Sequence, residues 1–537
     1  MTNKKFMKTA ACVVSALVLG TATVGCGGSG GETYDPLNQD EIKLLIAELG
    51  FGTEMYKEIA KAFENTHPGK KVVVETTVMS SAFITQLEAG GFIGDVCMFN
   101  DSLAKIWRKG LLTPLDDVVE SVPDGEEKSV GEKANPNLIE AYQVSDGHYY
   151  SLPWLNENKS FVYNKTTLNT LLGEGNWEVP KTTEELFAVC ERVQSAGGYG
   201  ISWETTYLND EIWAAQYEGR EAFLQHRAWG KYYDEASQEW KLSDAENVQC
   251  ISESVGLKRS IETLHTICQK YSHPYSRNMD FAQAQANFAG IPYAGDEKMT
   301  AFMFNGDWFY NETEDYILEE NCEVGFMKVP VVSSIVERLS FYQEGTTAYT
   351  TLSATKRASY DATLRAMIDY FDGGEVGAKP THNGAELTDE DMEIVKEARS
   401  FIYNKAQANA FIPENSTKKE LAKEFLTFIA SDMATEIFSE YTYGYSPYLN
   451  AEAYKTISFG IDFMDEVGDI LSKSDTMTIT YLSDLIANGY KVPMPSSYGL
   501  MFTGDAAYTP ERAFNTILDY YKGARWSDCL KAAGLVD

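Results

Sequence analysis

The stretch Gly147–Leu168, GHYYSLPWLNENKSFVYNKTTL, organises the chain. It reads as strand, crossing, strand. Tyr149–Leu152 is an aromatic and apolar run. Pro153, with a fixed φ and no N–H to donate, is expected to end it. Trp154-Leu155-Asn156-Glu157-Asn158 follows. Phe161-Val162-Tyr163 then resumes β-forming side chains before Asn164-Lys165 turns the chain. A tryptophan offers a flat apolar face, and Asn and Glu offer hydrogen-bonding edges. Together they suit a ligand that is apolar on one face and hydroxyl-rich at its rim, such as a sugar ring. The same residues also describe a buried Trp beside a solvated turn, so the neighbouring sequence has to decide.

Upstream, Ile42–Ala47 reads as a strand and Thr53–Asn65 as an amphipathic helix with Met55, Ile59, Ala62 and Phe63 on one face. Pro68-Gly69 stops that helix. Lys71–Glu75 is the next strand, Ala82–Ala89 a helix, Gly94–Phe99 a third strand and Leu103–Lys109 a helix. This alternation predicts a parallel sheet with helices on both faces, and ligands in such sheets sit at the carboxyl ends of the strands. Phe99 and Asp101 fall there and are candidate ligand contacts, although Phe99 also fits a core position.

Downstream, Thr182 and Glu185 have capping-box spacing, and Gly198–Ile201 leads a strand into Trp203 and Tyr207. Those two end a strand and are expected to face a cleft, whereas some of Trp203, Tyr207, Trp213 and Tyr217 must be core. Lys298–Phe304 reads as a strand, Asn305-Gly306-Asp307 as a turn, and Trp308 as an aromatic platform after it. Arg357–Phe371 and Thr388–Tyr403 show helical periodicity, separated by Gly373-Gly374 and Pro380. Phe411-Ile412-Pro413 reads as a short strand. Thr417 and Glu420 suggest another capping box before the apolar face of Leu421, Ala422, Phe425, Leu426, Phe428 and Ile429.

Several of these segments resemble one family: the extracellular solute-binding proteins of ABC importers, in the maltose-binding-like group that carries sugars. SLPW with VYNK is similar to its first crossing between lobes. AFENTHPGKKVVVE, GDV and GLLTPLDD resemble its first lobe, with Gly94 where the family usually has Pro. PKTTEEL, with Thr183 in place of a Trp, NFAGIPYAGDEKMTAFMFNGDWFYNE and GFMKVP resemble its second lobe. NSTKKELAKEFLTFI resembles the return to lobe one, Tyr443–Pro447 the third crossing, and Trp526–Leu530 the closing helix.

The resemblance implies a periplasmic-binding-protein-like α/β fold: two doubly wound α/β lobes joined by a hinge of three crossings. Residues 41–150 and 410–447 would form lobe one, and 151–409 with 448–537 lobe two. Val331–Asn409, longer than the family's usual loop, would be an insertion on lobe two. A mono- or oligosaccharide would bind between the lobes. Trp308 would stack on it, Trp154, Trp203 and Tyr207 would wall it, and Asn156 and Glu157 would bond its hydroxyls. Tyr498 lies where the family often presents a further aromatic. The partners implied are the permease subunits of an ABC transporter and the membrane, with a monomeric protein and no cofactor or metal.

The N-terminus fits this. Lys4, Lys5 and Lys8 precede an apolar run, Ala10–Val24, too short for a convincing span, so residues 1–25 read as a secretion signal. Thr23-Val24-Gly25-Cys26 resembles a lipoprotein box, with Thr23 where Leu is usual, which implies lipidation of Cys26 and anchoring on the extracellular face of a bacterial membrane. Residues 26–40 have tether composition. A formal charge of -34 and a pI near 4.6 exclude nucleic acid as a natural partner. The other cysteines, Cys97, Cys190, Cys250, Cys268, Cys322 and Cys529, are scattered and predict buried free thiols. The one G-x-S-x-G, Gly27–Gly31, lies in the tether without a strand before it, so it is no nucleophile elbow. A secreted glycan hydrolase stays open as the alternative, because carboxylates are too abundant to exclude an acid pair by counting. A polyamine or other cationic solute stays open because the chain is acidic.

Overall fold

The computed structural model describes residues 34–47, 52–77, 80–99, 103–144, 146–202, 211–449, 457–478, 508–533 and 535–536. Thirteen strands are described. In chain order they are β1 (Glu41–Ala47), β2 (Lys71–Thr77), β3 (Val96–Phe99), β4 (Leu152–Asn164), β5 (Tyr199–Ser202), β6 (Lys231–Asp234), β7 (Glu239–Leu242), β8 (Thr300–Gly306), β9 (Val324–Met327), β10 (Thr381–His382), β11 (Ala385–Glu386), β12 (Phe401–Phe411) and β13 (Asp475–Thr478). Nine of them form one mixed sheet in the order β2-β1-β3-β12-β4-β8-β5, with β9 paired to β4 and β13 to β12. The pairs β1–β2, β1–β3, β5–β8 and β12–β13 are parallel. Those that β4 makes with β12, β8 and β9 are antiparallel.

The two lobes are visible in how the strands alternate. In lobe one Ile42, Leu44, Ile46, Val96 and Met98 enter one apolar cluster, while Leu45, Cys97 and Phe99 enter another on the opposite face. In lobe two Phe161, Phe302, Phe304 and Met327 enter one cluster, and Val162, Met303 and Phe326 another. Both faces of each half are therefore covered by helices, the doubly wound arrangement. Strands β4 and β12 belong to both halves. They pair from Leu152↔Ala410 at the lobe-one end to Lys159↔Tyr403 at the lobe-two end, with register shifts around Ala408. The third crossing is the segment 443–449. Tyr443 caps the Asp432–Thr442 helix with left-handed backbone at φ 50°. Tyr445 then buries in lobe two with its hydroxyl on the Met464 carbonyl, and Tyr448 buries in lobe one with its hydroxyl on the Pro153 carbonyl at 2.8 Å.

The structure corrects four expectations. Pro153 does not end a strand: β4 runs through it, because at the second position of a strand a proline still supplies the carbonyl that Tyr448 uses. Asn156–Asn158 are strand interior and not a solvated turn. Phe401–Tyr403 do not continue the Asp389–Ser400 helix but open β12, so the last residues of the expected 331–409 insertion belong to the hinge. The helix Lys419–Ile429 starts without the side-chain cap expected from Thr417, its first flanking residue being Lys418, whose ammonium donates to the Glu41 carbonyl at 2.6 Å.

The rest of the expected insertion packs on lobe two. Leu364, Met367 and Ile368 of the Ala354–Asp372 helix share a cluster with Trp213 and Phe302. Asp361 of that helix accepts hydrogen bonds from Thr182 at 2.9 Å and Ser333 at 2.7 Å. All six described cysteines are free and buried.

Candidate binding site

Strand β4 is buried along its whole length, yet its middle is polar: Asn156, Glu157, Asn158, Lys159 and Ser160 separate the apolar ends. Side chains alternate across a strand, so this band has two faces with different chemistry. On one face amides form a chain. Asn156 Nδ2 donates to Asn404 Oδ1 at 2.6 Å, and Asn404 Nδ2 donates to Asn158 Oδ1 at 2.9 Å. Asn158 gives both its backbone N–H (3.0 Å) and its Nδ2 (2.6 Å) to the Asp307 carboxylate, and Asp307 N–H returns a bond to the Asn158 carbonyl at 3.1 Å. These bonds tie β12, β4 and the turn after β8 together. Among the described residues no cation pairs with Asp307. Burial pushes its carboxyl up to about 7 despite the bonds from Asn158, with Glu157 adding a smaller upward push.

The other face carries ions. Glu157 and Lys159 stand 3.7 Å apart and are both buried. Glu157 lies over Gly306: a Cβ there would come 2.6 Å from Glu157 Cγ and 2.7 Å from Oε1, so the missing side chain makes room for the carboxylate. Beyond Lys159, Glu211 is bonded by Arg227 Nε at 3.1 Å. Burial opposes ionisation of Glu211, but Arg227, Tyr403 and Lys159 outweigh it and hold the carboxyl below its usual range.

Trp308 stands beside this band. It is half-buried, its indole N–H donates to the Asn156 carbonyl at 2.9 Å, and its ring meets Phe438 edge-on at 6.4 Å. Glu312, four residues later, is exposed and accepts from the buried Gln285 at 2.6 Å. The arrangement can present an aromatic surface, carboxylates and amides to a polar ligand. Among the described residues no group of His, Cys, Asp and Glu is arranged to hold a metal ion, and no helix is long and apolar enough to cross a membrane.

Of the residues expected at the site, Trp308, Asn156 and Glu157 come together here. Two others do not join them. Trp154 is 1% exposed inside the lobe-one cluster, against Tyr56 and Phe438, so it is core and not a cleft wall. It shares the Asn156 face of β4 but lies one pleat further into lobe one. Phe99 is fully buried and edge-on to Phe411 at 5.1 Å, so it too is core. Asp101, Trp203, Tyr207, Tyr498 and Cys26 lie outside the described residues. Sequence reading missed Lys159, Glu211, Arg227, Asn404 and Glu312. Only Glu312 carried a usable signal, its i+4 spacing from Trp308 on a helix.

Solved structures share this fold over nearly their whole length. The bacterial solute receptor AcbH, described as having an exclusive preference for β-D-galactopyranose, is 13% identical with a TM-score of 0.55, covering 89% of this chain and 97% of its own. The GacH receptor of Streptomyces glaucescens GLA.O, solved unliganded and with acarbose, is 14% identical with a TM-score of 0.55, covering 93% and 99%. A probable secreted solute-binding lipoprotein from Streptomyces coelicolor is 13% identical with a TM-score of 0.55, covering 90% and 99%. No curated protein sequence matches the chain. The family described as bacterial extracellular solute-binding protein matches residues 52–436, more than half of the 537 residues, and with the two-lobed fold already described this makes the chain a member of that family.

Proposed function

We propose that this solute-binding protein captures a carbohydrate between its lobes and presents it to the permease of an ABC importer, held outside the membrane by a lipid on Cys26. The observation that carries the reading is the buried polar middle of β4, with Glu157 and Asn156, set beside the half-buried Trp308. Stacking on an indole and bonding to carboxylate and amide oxygens are the two contacts a pyranose needs. Binding then stabilises the closed arrangement of lobes over the open one, and no bond is made or broken. The sugar ligands of AcbH and GacH and the lipoprotein character of the Streptomyces coelicolor protein support it. Asp101, Trp203, Tyr207 and Tyr498 are proposed as further contacts.

One feature favours a second reading. Glu157, Asp307 and Glu312 outnumber the nearby cation Lys159, which suits a cationic solute such as a polyamine. A melting screen decides between them. A rise in melting temperature with sugars, without product formation, supports carbohydrate capture. A rise with spermidine alone supports the second reading, and sugar breakdown supports a hydrolase.

A further inference from the structure

Glu312 N–H donates to the Trp308 carbonyl at 3.1 Å, so the two residues are one helical turn apart and share a helix face. The Glu312 side chain is exposed, yet desolvation pushes its carboxyl up to about 7. A glutamate on an outer helix surface is fully hydrated and keeps its ordinary value. Crowding of the carboxylate by neighbouring groups, with part of the side chain left open, accounts for both. Its surroundings agree. The charged groups acting on it are Glu157, which raises its pKa, and Lys159, which lowers it, both from the polar band of β4. Asp307, in the turn that precedes the helix, feels the same Glu157. From the Phe281–Ala289 helix, Gln285, 3% exposed, donates to Glu312 Oε2 at 2.6 Å. Among the described residues nothing bonds Oε1.

We propose that Glu312 is a specificity-determining residue whose free carboxylate oxygen accepts hydrogen bonds from ring hydroxyls of a sugar stacked on Trp308, with Gln285 as the positioning residue that turns it toward the cleft. One helical turn is about 5.4 Å, so a ring lying on the indole places its edge hydroxyls at the carboxylate. Ligand hydroxyls bond the ionised form better, so affinity rises with pH as Glu312 loses its proton. The inference rests on the carbohydrate reading above.

The test is calorimetric titration with galactose, glucose, maltose and cellobiose from pH 6 to 8, on the wild type, Glu312→Gln, Glu312→Asp and Gln285→Ala, beside unliganded melting. Glu312→Gln gives up the charge assistance and is expected to bind about tenfold more weakly. Asp307 titrates in the same range, so the signature is the pH slope that disappears from wild type to Glu312→Gln. In Gln285→Ala the midpoint of that slope moves up, because the bond that favours the ionised form is gone. Glu312→Asp, with unliganded melting unchanged, keeps the slope at reduced affinity and guards against a folding defect in Glu312→Gln. Wild-type binding that Glu312→Gln leaves unchanged in affinity and pH slope overturns the assignment alone. No wild-type response to any of the sugars overturns the carbohydrate reading and this inference with it.

Discussion

Replacing Gly306 by alanine tests how Glu157 is seated. The new methyl would stand 2.6 Å from Glu157 Cγ and 2.7 Å from Oε1, far inside ordinary contact. Neither partner can easily yield. Gly306 is held opposite Lys159 by the β4–β8 ladder and bonds Asn305 Oδ1 through its own N–H at 2.7 Å. Glu157 is 4% exposed and paired to Lys159. Overpacking of this kind costs about 1–3 kcal/mol, and the stiffer unfolded chain of an alanine returns about 0.4–1 kcal/mol, so a net loss of about 1–2 kcal/mol is expected. The assay is denaturant unfolding of the unliganded protein, run as a double-mutant cycle with Glu157→Ala. Removing Glu157 has its own cost, since it strips Lys159 of a buried partner, but the cycle subtracts it. In the Glu157→Ala background the Gly306→Ala cost should fall below about 0.5 kcal/mol. Gly306→Ala should also weaken sugar binding as far as Glu157→Ala does, because the carboxylate is displaced. Additive costs, or unchanged affinity, would refute the seating of Glu157 over the glycine.

Trp308→Ala should weaken sugar binding about tenfold or more. It should also lower unliganded stability modestly, since the indole bonds the Asn156 carbonyl; unchanged affinity with a strongly destabilised fold would make it a core residue only. Asp361, buried in lobe two, is pushed up to about 7 by desolvation. Its folded value lies above its unfolded one, so its contribution to stability is fully present below about pH 4 and is lost as pH rises through 7. Asp361→Asn should flatten that part of the stability–pH curve, measured by denaturant unfolding, and an unaltered curve would show that Asp361 stays ionised. Cys26→Ala should move the protein from the membrane fraction to the soluble one; a mutant that stays membrane-bound refutes the lipobox. Residues 331–409 expressed alone should show no cooperative melting, because Leu364, Met367 and Ile368 share a core with Trp213 and Phe302, outside the fragment.

The lobes were legible because their elements obey simple periods. Met55, Ile59 and Phe63 mark one helix face, and Thr182 caps the Thr183–Ser195 helix by accepting from Glu185 N–H. The hinge was less legible. Strand β4 is buried on both faces but keeps amides and ions in its middle, so neither alternation nor an apolar run announces it. Phe401-Ile402-Tyr403 prolong the apolar spacing of the helix before them, and pairing with the distant strand β13, joined by β4 at Tyr403, makes them strand. Trp154 and Trp308 are the same residue type in similar polar company. What separates them is distance along β4 from the lobe boundary, which is a tertiary quantity. Glu211 and Arg227 converge with Lys159 from a distant helix pair, and no local pattern encodes that.

The ladder shared by β4 and β12 has a mechanical consequence. Two strands bonded side by side through both lobes resist sliding, since shear would break every rung at once, but they accept torsion wherever the rungs are already irregular. The register shifts around Ala408 put that compliant point at the lobe-one end of the polar band. Relative rotation of the lobes is thereby expected to centre on a twist there, with the band, clamped by the Asn156–Asn404–Asn158–Asp307 chain, moving as one block.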